Sequence, residues 1–486
     1  MPVVRRGLQA CAVAALIAPI SASAHGFGRL YNLPVPFWLY AWGAGAALLL
    51  SFLFMAWFAD EPPGQPPTAA RNISDTRWLR LLRRALPALR AASVLLLLLC
   101  IATALFGNRD PFRNFSMTFF WVVFLLGFTY LTAGIGNLWA AINPWRVLTD
   151  FLVHLVRGYG AGRLHYPARL GDWPALAFYL AFVWFELFGL ARPVPLGHFL
   201  LGYTAINFLG VGLVGSKAWF THCEFCSVFL RLVALLAPLD YQGDGHLRLR
   251  APFAGLVQER PASLSTVAFA LAMLATTAFD GLRATQWWVR LFWSDPSGIV
   301  TALAGGPPVL AYALLRPWYI GWESGWLFAS PFLYLAAYIA ALGLAKGLAR
   351  SARPLRELAL DFGYTLLPIA LVYHLTHYAT LMLTQGLKIV SLASDPFGWG
   401  WDLFGTAALL RQPILPGMGL VWHTQVLLIL FGHIVSVSVA HRIALRVMPT
   451  RGNALLSQLP MLALMLAFTV AGLWILAQPL TVVLMR

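Results

Sequence analysis

Apolar residues run along this chain in blocks of about twenty, separated by shorter polar stretches in which arginine recurs. A helix needs about 20 predominantly apolar residues to cross a bilayer core, and ten blocks meet that need. They predict crossings at 36–58, 91–107, 115–139, 173–191, 198–216, 263–279, 325–345, 359–386, 418–439 and 457–478. No run shows the alternation over about ten residues that marks a strand of an outer-membrane barrel. The predicted fold is all-α: a polytopic helical membrane protein with about ten transmembrane helices plus re-entrant or interfacial segments.

Ten crossings with the first entered from outside make a charge prediction. The loops 59–90, 140–172, 217–262, 346–358 and 440–456 then lie inside. These are the arginine-rich ones: 59–90 includes Arg83 and Arg84, and 346–358 holds Lys346, Arg350, Arg353 and Arg356. The count therefore satisfies the positive-inside rule.

Two stretches resist simple crossing. Residues 218–237 are apolar but flanked by basic segments, which fits an interfacial or half-inserted helix. Residues 298–316 contain Gly305-Gly306-Pro307-Pro308, which breaks a spanning helix. A broken piece at membrane depth is tolerated where protein or water surrounds it.

Composition agrees with the pattern. Of 486 residues, 60% are hydrophobic and 11% charged, against about 25% charged in soluble domains. The net charge of +16 is accounted for by the inside loops, so nucleic acid is not an expected partner. Four cysteines, Cys11, Cys100, Cys223 and Cys226, are too few for a disulfide framework.

The first 24 residues carry Arg5 and Arg6, an apolar run from Leu8 to Ile20, and Ala22-Ser23-Ala24. That is the layout of a secretory signal peptide. Cleavage after Ala24 leaves a single integral domain of residues 25–486 that begins with His25 and starts outside. The expected location is a bacterial inner membrane with the mature N-terminus periplasmic or extracellular. An uncleaved signal anchor is the alternative.

Ionisable residues inside spans are candidate functional residues. The densest set is YHLTHY at 373–378, where His374 and His377 share one helical face, with Gln385 beyond. SDPFGWGWDLFG at 394–405 supplies Asp395 and Asp402, VWHTQ at 421–425 supplies His423 and Gln425, and TAFDG supplies Asp280. The predicted topology brings His25, Asp280, His377 and His423 to the outer level, with both loop aspartates. Imidazole and carboxylate are ligands for zinc or copper. One expectation is therefore a metal site with His25, His377 and His423 as ligands, and Asp280, His377, Asp395, Asp402 and His423 as catalytic candidates.

Two plainer readings stand beside it. One is a polar relay without metal, and the other is histidines that hydrogen-bond across helices. An N-terminal His25 also offers its amine and ring to copper, or simply follows the cut. THCEFC at 221–226 holds His222, Cys223, Glu224 and Cys226. A lone CxxC lacks the second pair of a zinc site, so small apolar thiols on a helix is the preferred reading. Glu186 is a further acid within a span. NLWAAINPWR at 137–146 reads as a helix stopped at Pro144, with Trp139 and Trp145 as interface anchors. Phosphate loops, nucleophile elbows and dinucleotide fingerprints are absent from the sequence.

AHGFGRLYNLPVPFWLYAW, NPWR, TAFDG, YHLTHY, SDPFGWGWDLFGT and GHIVSVSVAHR occur here in that order. Together they resemble the fenitrothion hydrolase-like family of bacterial membrane proteins. The resemblance implies hydrolysis of small apolar organophosphorus triesters with release of a nitrophenol, and it carries over no catalytic residue set. THCEFC departs from the family's less cysteine-rich pattern, so the cysteines receive no shared role. A transporter or metal-handling permease, and a non-catalytic membrane subunit, are the competing functions.

Overall fold

The computed structural model describes 36–58, 71–74, 76–189, 192–241, 247–411 and 417–478, with the backbone of two short paired strands at Ser23–Ala24 and Tyr31–Asn32. His25, Cys11 and the predicted cleavage site lie outside the described residues. Among the described residues the structure is almost entirely helical. Nine helices are long and apolar enough to cross a membrane, and a tenth crossing is possible if a bent pair is counted as one span. The protein is an all-α, multi-pass membrane protein.

The predicted span 173–191 is a helix only at Trp173–Phe188, shorter than the others. Pro174 sits in its first turn and Gly189 closes its end. At 1.5 Å per residue it falls short of a bilayer core of about 30 Å. The 218–237 stretch is instead two pieces, Ser216–Cys223 and Phe225–Leu236, bent by 61° at Glu224. In place of one interfacial or half-inserted helix there is thus a bent pair, the form of a broken span or a re-entrant loop.

The 298–316 stretch is broken at Gly305-Gly306-Pro307, as its sequence predicts. A short helix, Ile299–Ala304, ends at Gly305 in the left-handed region, and Pro308–Ala311 leads into the 37-residue helix Tyr312–Leu348. Leu303, Val309 and Leu310 are among its most exposed side chains. Pro317 and Pro331 stay inside the long helix, as membrane helices tolerate.

Contacts divide the chain into two compact units. The first comprises residues up to 65, 271–377 and 416 onward. In it the helices Phe37–Phe58, Tyr312–Leu348, Met418–Val447 and Arg451–Ala477 pack against one another. Close approach is made by small residues, the usual membrane solution: a Cβ on Gly472 would lie 2.2 Å from the Tyr373 ring. Gln425 donates to the Thr376 carbonyl at 2.9 Å, which ties Met418–Val447 to the helix carrying His377.

The second unit comprises 66–270 and 378–415. Helix Arg77–Phe106 lies against Pro193–Val214. The span Phe115–Ile135 widens into a π-helix from Thr118 to Phe128. A three-stranded antiparallel sheet joins Arg71–Asn72, Leu247–Leu249 and Leu239–Tyr241. It pairs two loops that the charge pattern assigns to the same side. Residues 107–114 and 394–405, assigned to the opposite side, also meet: Asn108 N–H donates to the Phe397 carbonyl at 2.8 Å.

Candidate functional site

In the first unit, helix Leu264–Arg283 ends on TAFDGLR, which places Asp280 and Arg283 one turn apart. Thr285 then caps helix Gln286–Trp293 by accepting the Trp288 N–H, so a second helix starts directly after the turn. His377 Nε2 meets Asp280 Oδ2 at 2.8 Å, with each side chain about one-fifth exposed. Asp280 Oδ1 faces Arg283 at 3.9 Å, and Arg283 Nη2 reaches Glu323 Oε2 at 3.4 Å. Glu323, 2% exposed, also accepts from Trp288 Nε1 at 3.2 Å and from the Tyr319 hydroxyl at 2.9 Å. The result is one connected chain: His377, Asp280, Arg283, Glu323, then Trp288 and Tyr319.

Aromatic rings surround its far end. Trp288 stacks on Trp322 at 4.5 Å, and Phe292 packs against Tyr319 and Trp322. A carboxylate at this depth is stable only with such donors and a counter-charge. Asp280 and His377 were anticipated as site residues. Arg283, Glu323, Trp288 and Tyr319 were not, although WESGW places an acid inside an apolar run, itself a signal.

The other candidates are placed elsewhere. His423 is exposed, its Nδ1 on the Gly419 carbonyl at 2.7 Å and its Nε2 near the Tyr40 hydroxyl at 3.5 Å. Asp395 and Asp402 belong to the second unit. Asp395 accepts from the N–H groups of Trp399 and Gly400, both at 2.9 Å, and Asp402 accepts from Ala407 N–H. These bonds knit SDPFGWGWDLFGT into a closed loop. Among the described residues no three His, Cys, Asp or Glu side chains are grouped so as to hold a metal. The donor set seen at His377 is a carboxylate–imidazole pair rather than a ligand cage.

The second unit holds a different polar centre. Asn143 caps Pro144–Leu155, which Pro144 begins, and donates to Glu224 Oε2 at 3.1 Å. Pro144 is thus a helix start as well as a stop, the favoured first position for proline. Trp139 and Trp145 are buried, 4% and 3% exposed, rather than interface anchors. Trp145 Nε1 donates to Thr204, a partner that packing inside a protein supplies.

Glu224 sits at the 61° bend, just after a π-turn at Trp219–Cys223. It caps Phe225–Val233 through the N–H groups of Cys226 and Ser227, and it accepts from the hydroxyls of Ser227 and Tyr203. Nearby, Asp172 accepts from His222, Thr266 and Arg231. Burial, aided by Cys223 and Asp172, pushes the pKa of Tyr166 above its ordinary value. Its ring stacks on His222. His222 and Glu224 are thereby spent on hydrogen bonds, and Cys223 and Cys226 are buried free thiols.

No family model, curated protein or solved structure matches the chain.

Proposed function

We propose that this chain is a membrane-embedded hydrolase of small apolar organophosphorus triesters, with His377 as general base. The observation that carries the reading is the 2.8 Å bond between His377 and Asp280, which Arg283 and Glu323 connect to an aromatic cluster. With Nε2–H donated to Asp280, the neutral ring keeps Nδ1 as its proton acceptor. A water attacking phosphorus passes its proton to Nδ1 as the new P–O bond forms. The P–O bond to the aryl group breaks, and the imidazolium returns the proton to the departing phenolate. Asp280 orients the ring and stabilises its charged form, the role of the acid in a His–Asp pair. Arg283 stands between the two acids, 3.9 Å from Asp280 and 3.4 Å from Glu323. An apolar triester partitions into the bilayer, which suits a site at membrane depth.

The same reading takes the location as a bacterial inner membrane, entered after signal-peptide removal, with the N-terminus periplasmic. No step here requires zinc or copper. Metal analysis of the purified full chain, with N-terminal sequencing of the same sample, tests the contribution of His25.

The deciding experiment is release of nitrophenol from fenitrothion by purified protein in nanodiscs. His377→Ala is expected to lower the rate by about 10²–10⁴-fold. Undiminished release by that variant overturns the assignment. A transporter or metal-handling permease is the second reading, favoured by the broken helix pair Ser216–Cys223 and Phe225–Leu236. Accumulation of intact substrate in proteoliposomes would decide for it.

A further inference from the structure

A cavity of about 490 Å³ opens in the second unit where the 107–114 and 394–411 loops meet. Its size is within the range of small-molecule sites, about 300–1,000 Å³. Three cations line it: Arg113, Lys388 and Arg411. Two acids, Asp110 and Asp395, do as well, so three cations less two acids leave the lining one net positive charge. Both oxygens of Asp395 accept loop N–H groups. Asp110 accepts the Phe112 N–H at 2.9 Å and lies 3.8 Å from Arg113. Asn108 and Ser391 add polar lining. The Lys388 ammonium stands 5.5 Å from the Phe112 ring centroid, which positions it without neutralising it.

Phe112 and Leu392 also line the cavity, and Phe112 is exposed. A lining with more cations than acids and two apolar side chains suits an anion that carries an apolar part. Arginine and lysine are the usual phosphate binders, the first by its fork and the second as a point charge.

We infer that this cavity binds a phosphate-bearing anion through Lys388, Arg411 and Arg113. The inference is independent of the hydrolase reading, because it uses none of the residues placed in that chemistry. A phospholipid headgroup and free phosphate share this chemistry, and the test separates them. Full-chain protein goes into phosphatidylcholine nanodiscs with or without a minor fraction of phosphatidylglycerol. Lipid retained on the protein is read by native mass spectrometry. A parallel arm titrates inorganic phosphate against thermal unfolding in pure phosphatidylcholine discs.

Preferential retention of phosphatidylglycerol assigns the site to a lipid headgroup, and stabilisation by phosphate alone assigns it to a free anion. In either case Lys388→Gln with Arg411→Gln should weaken binding by about tenfold or more, the scale of one lost charge-assisted bond. Lys388→Arg with Arg411→Lys should restore most of it. If the double variant does not fold, Lys388→Gln alone carries the test with a loss of several-fold. Equal binding by wild type and the folded glutamine variant, or binding of neither probe by wild type, overturns the inference.

Discussion

Glu323 and Glu224 are buried to nearly the same degree, 2% and 1% exposed, yet they are satisfied by opposite means. Glu224 accepts from Tyr203, Asn143, the Ser227 hydroxyl and the N–H groups of Cys226 and Ser227. All are neutral donors, and two of them begin the helix that Glu224 caps. Its charge is stabilised by a helix N-terminus and does not need to move. Glu323 shares Arg283 with Asp280, and Asp280 holds a titratable histidine. His377, Asp280, Arg283 and Glu323 are thus joined by charged contacts in one series. The first arrangement fixes a bend in the backbone, and the second can respond to chemistry.

Asp280→Asn is the sharpest way to break this distinction. An amide cannot stabilise the imidazolium, so the proposed hydrolysis should fall by about 10²–10⁴-fold. The melting temperature should stay within about 2–4 °C of wild type, because Arg283 keeps Glu323. Kinetics and thermal unfolding on one preparation check both halves. Full activity, or a large loss of stability, would remove the contrast with Glu224.

Glu224→Ala is the counterpart. It strands the buried donors of Asn143, Tyr203 and Ser227 and removes a helix cap. The expected cost is about 3 kcal/mol or more of stability, with hydrolysis per folded molecule unchanged. Thermal unfolding in detergent should show an early, less cooperative transition. A variant that melts like wild type would mean that the bend does not depend on its carboxylate.

Two glycines extend the comparison at smaller cost. A Cβ on Gly472 would meet Tyr373 at 2.2 Å, and one on Gly210 would meet Trp219 at 2.3 Å. Each alanine substitution should cost about 1–3 kcal/mol through overpacking. Only Gly472→Ala should also slow hydrolysis, since Tyr373 lies one turn before His377 on the same helix. Equal kinetic effects from the two variants would argue that the site senses stability rather than geometry.

The sequence was most informative about depth. Apolar block lengths and arginine placement located the spans and brought Asp280 and His377 to one level. Hydropathy carries no information about which helix is the lateral neighbour. His423 is predicted at the level of His377, and Gln425, two residues on, does bond the Thr376 carbonyl; His423 itself is an exposed side chain held by Gly419 and Tyr40. Asp395 and Asp402 are short-range loop ties, which SDPFG and WDLFG already permit as turn sequences. Glu323 was legible as an acid within WESGW, but its partner Arg283 could be chosen only once the turn at Thr285 was known. Asn143 and Glu224 lie 81 residues apart, and no local pattern links one helix cap to another.

Asp295 gives the smallest effect and the cleanest pH dependence. It lies in the turn before Ile299–Ala304, where burial would raise its pKa. The backbone N–H and hydroxyl of Thr301, the Ser297 hydroxyl and the Val300 N–H outweigh that and lower it to about 2, from an ordinary 3.8. A depressed carboxylate pKa favours the folded state at every pH above the unfolded value. That contribution fades as pH falls from about 4 to about 2, where both states become protonated. Asp295→Asn should therefore melt slightly lower than wild type at neutral pH, and the gap should close across that acid window. Asp295 would then belong with Glu224, as a carboxylate that fixes backbone and takes no part in chemistry. A gap that stays constant from pH 7 to pH 2 would show that the turn is held by shape rather than by charge.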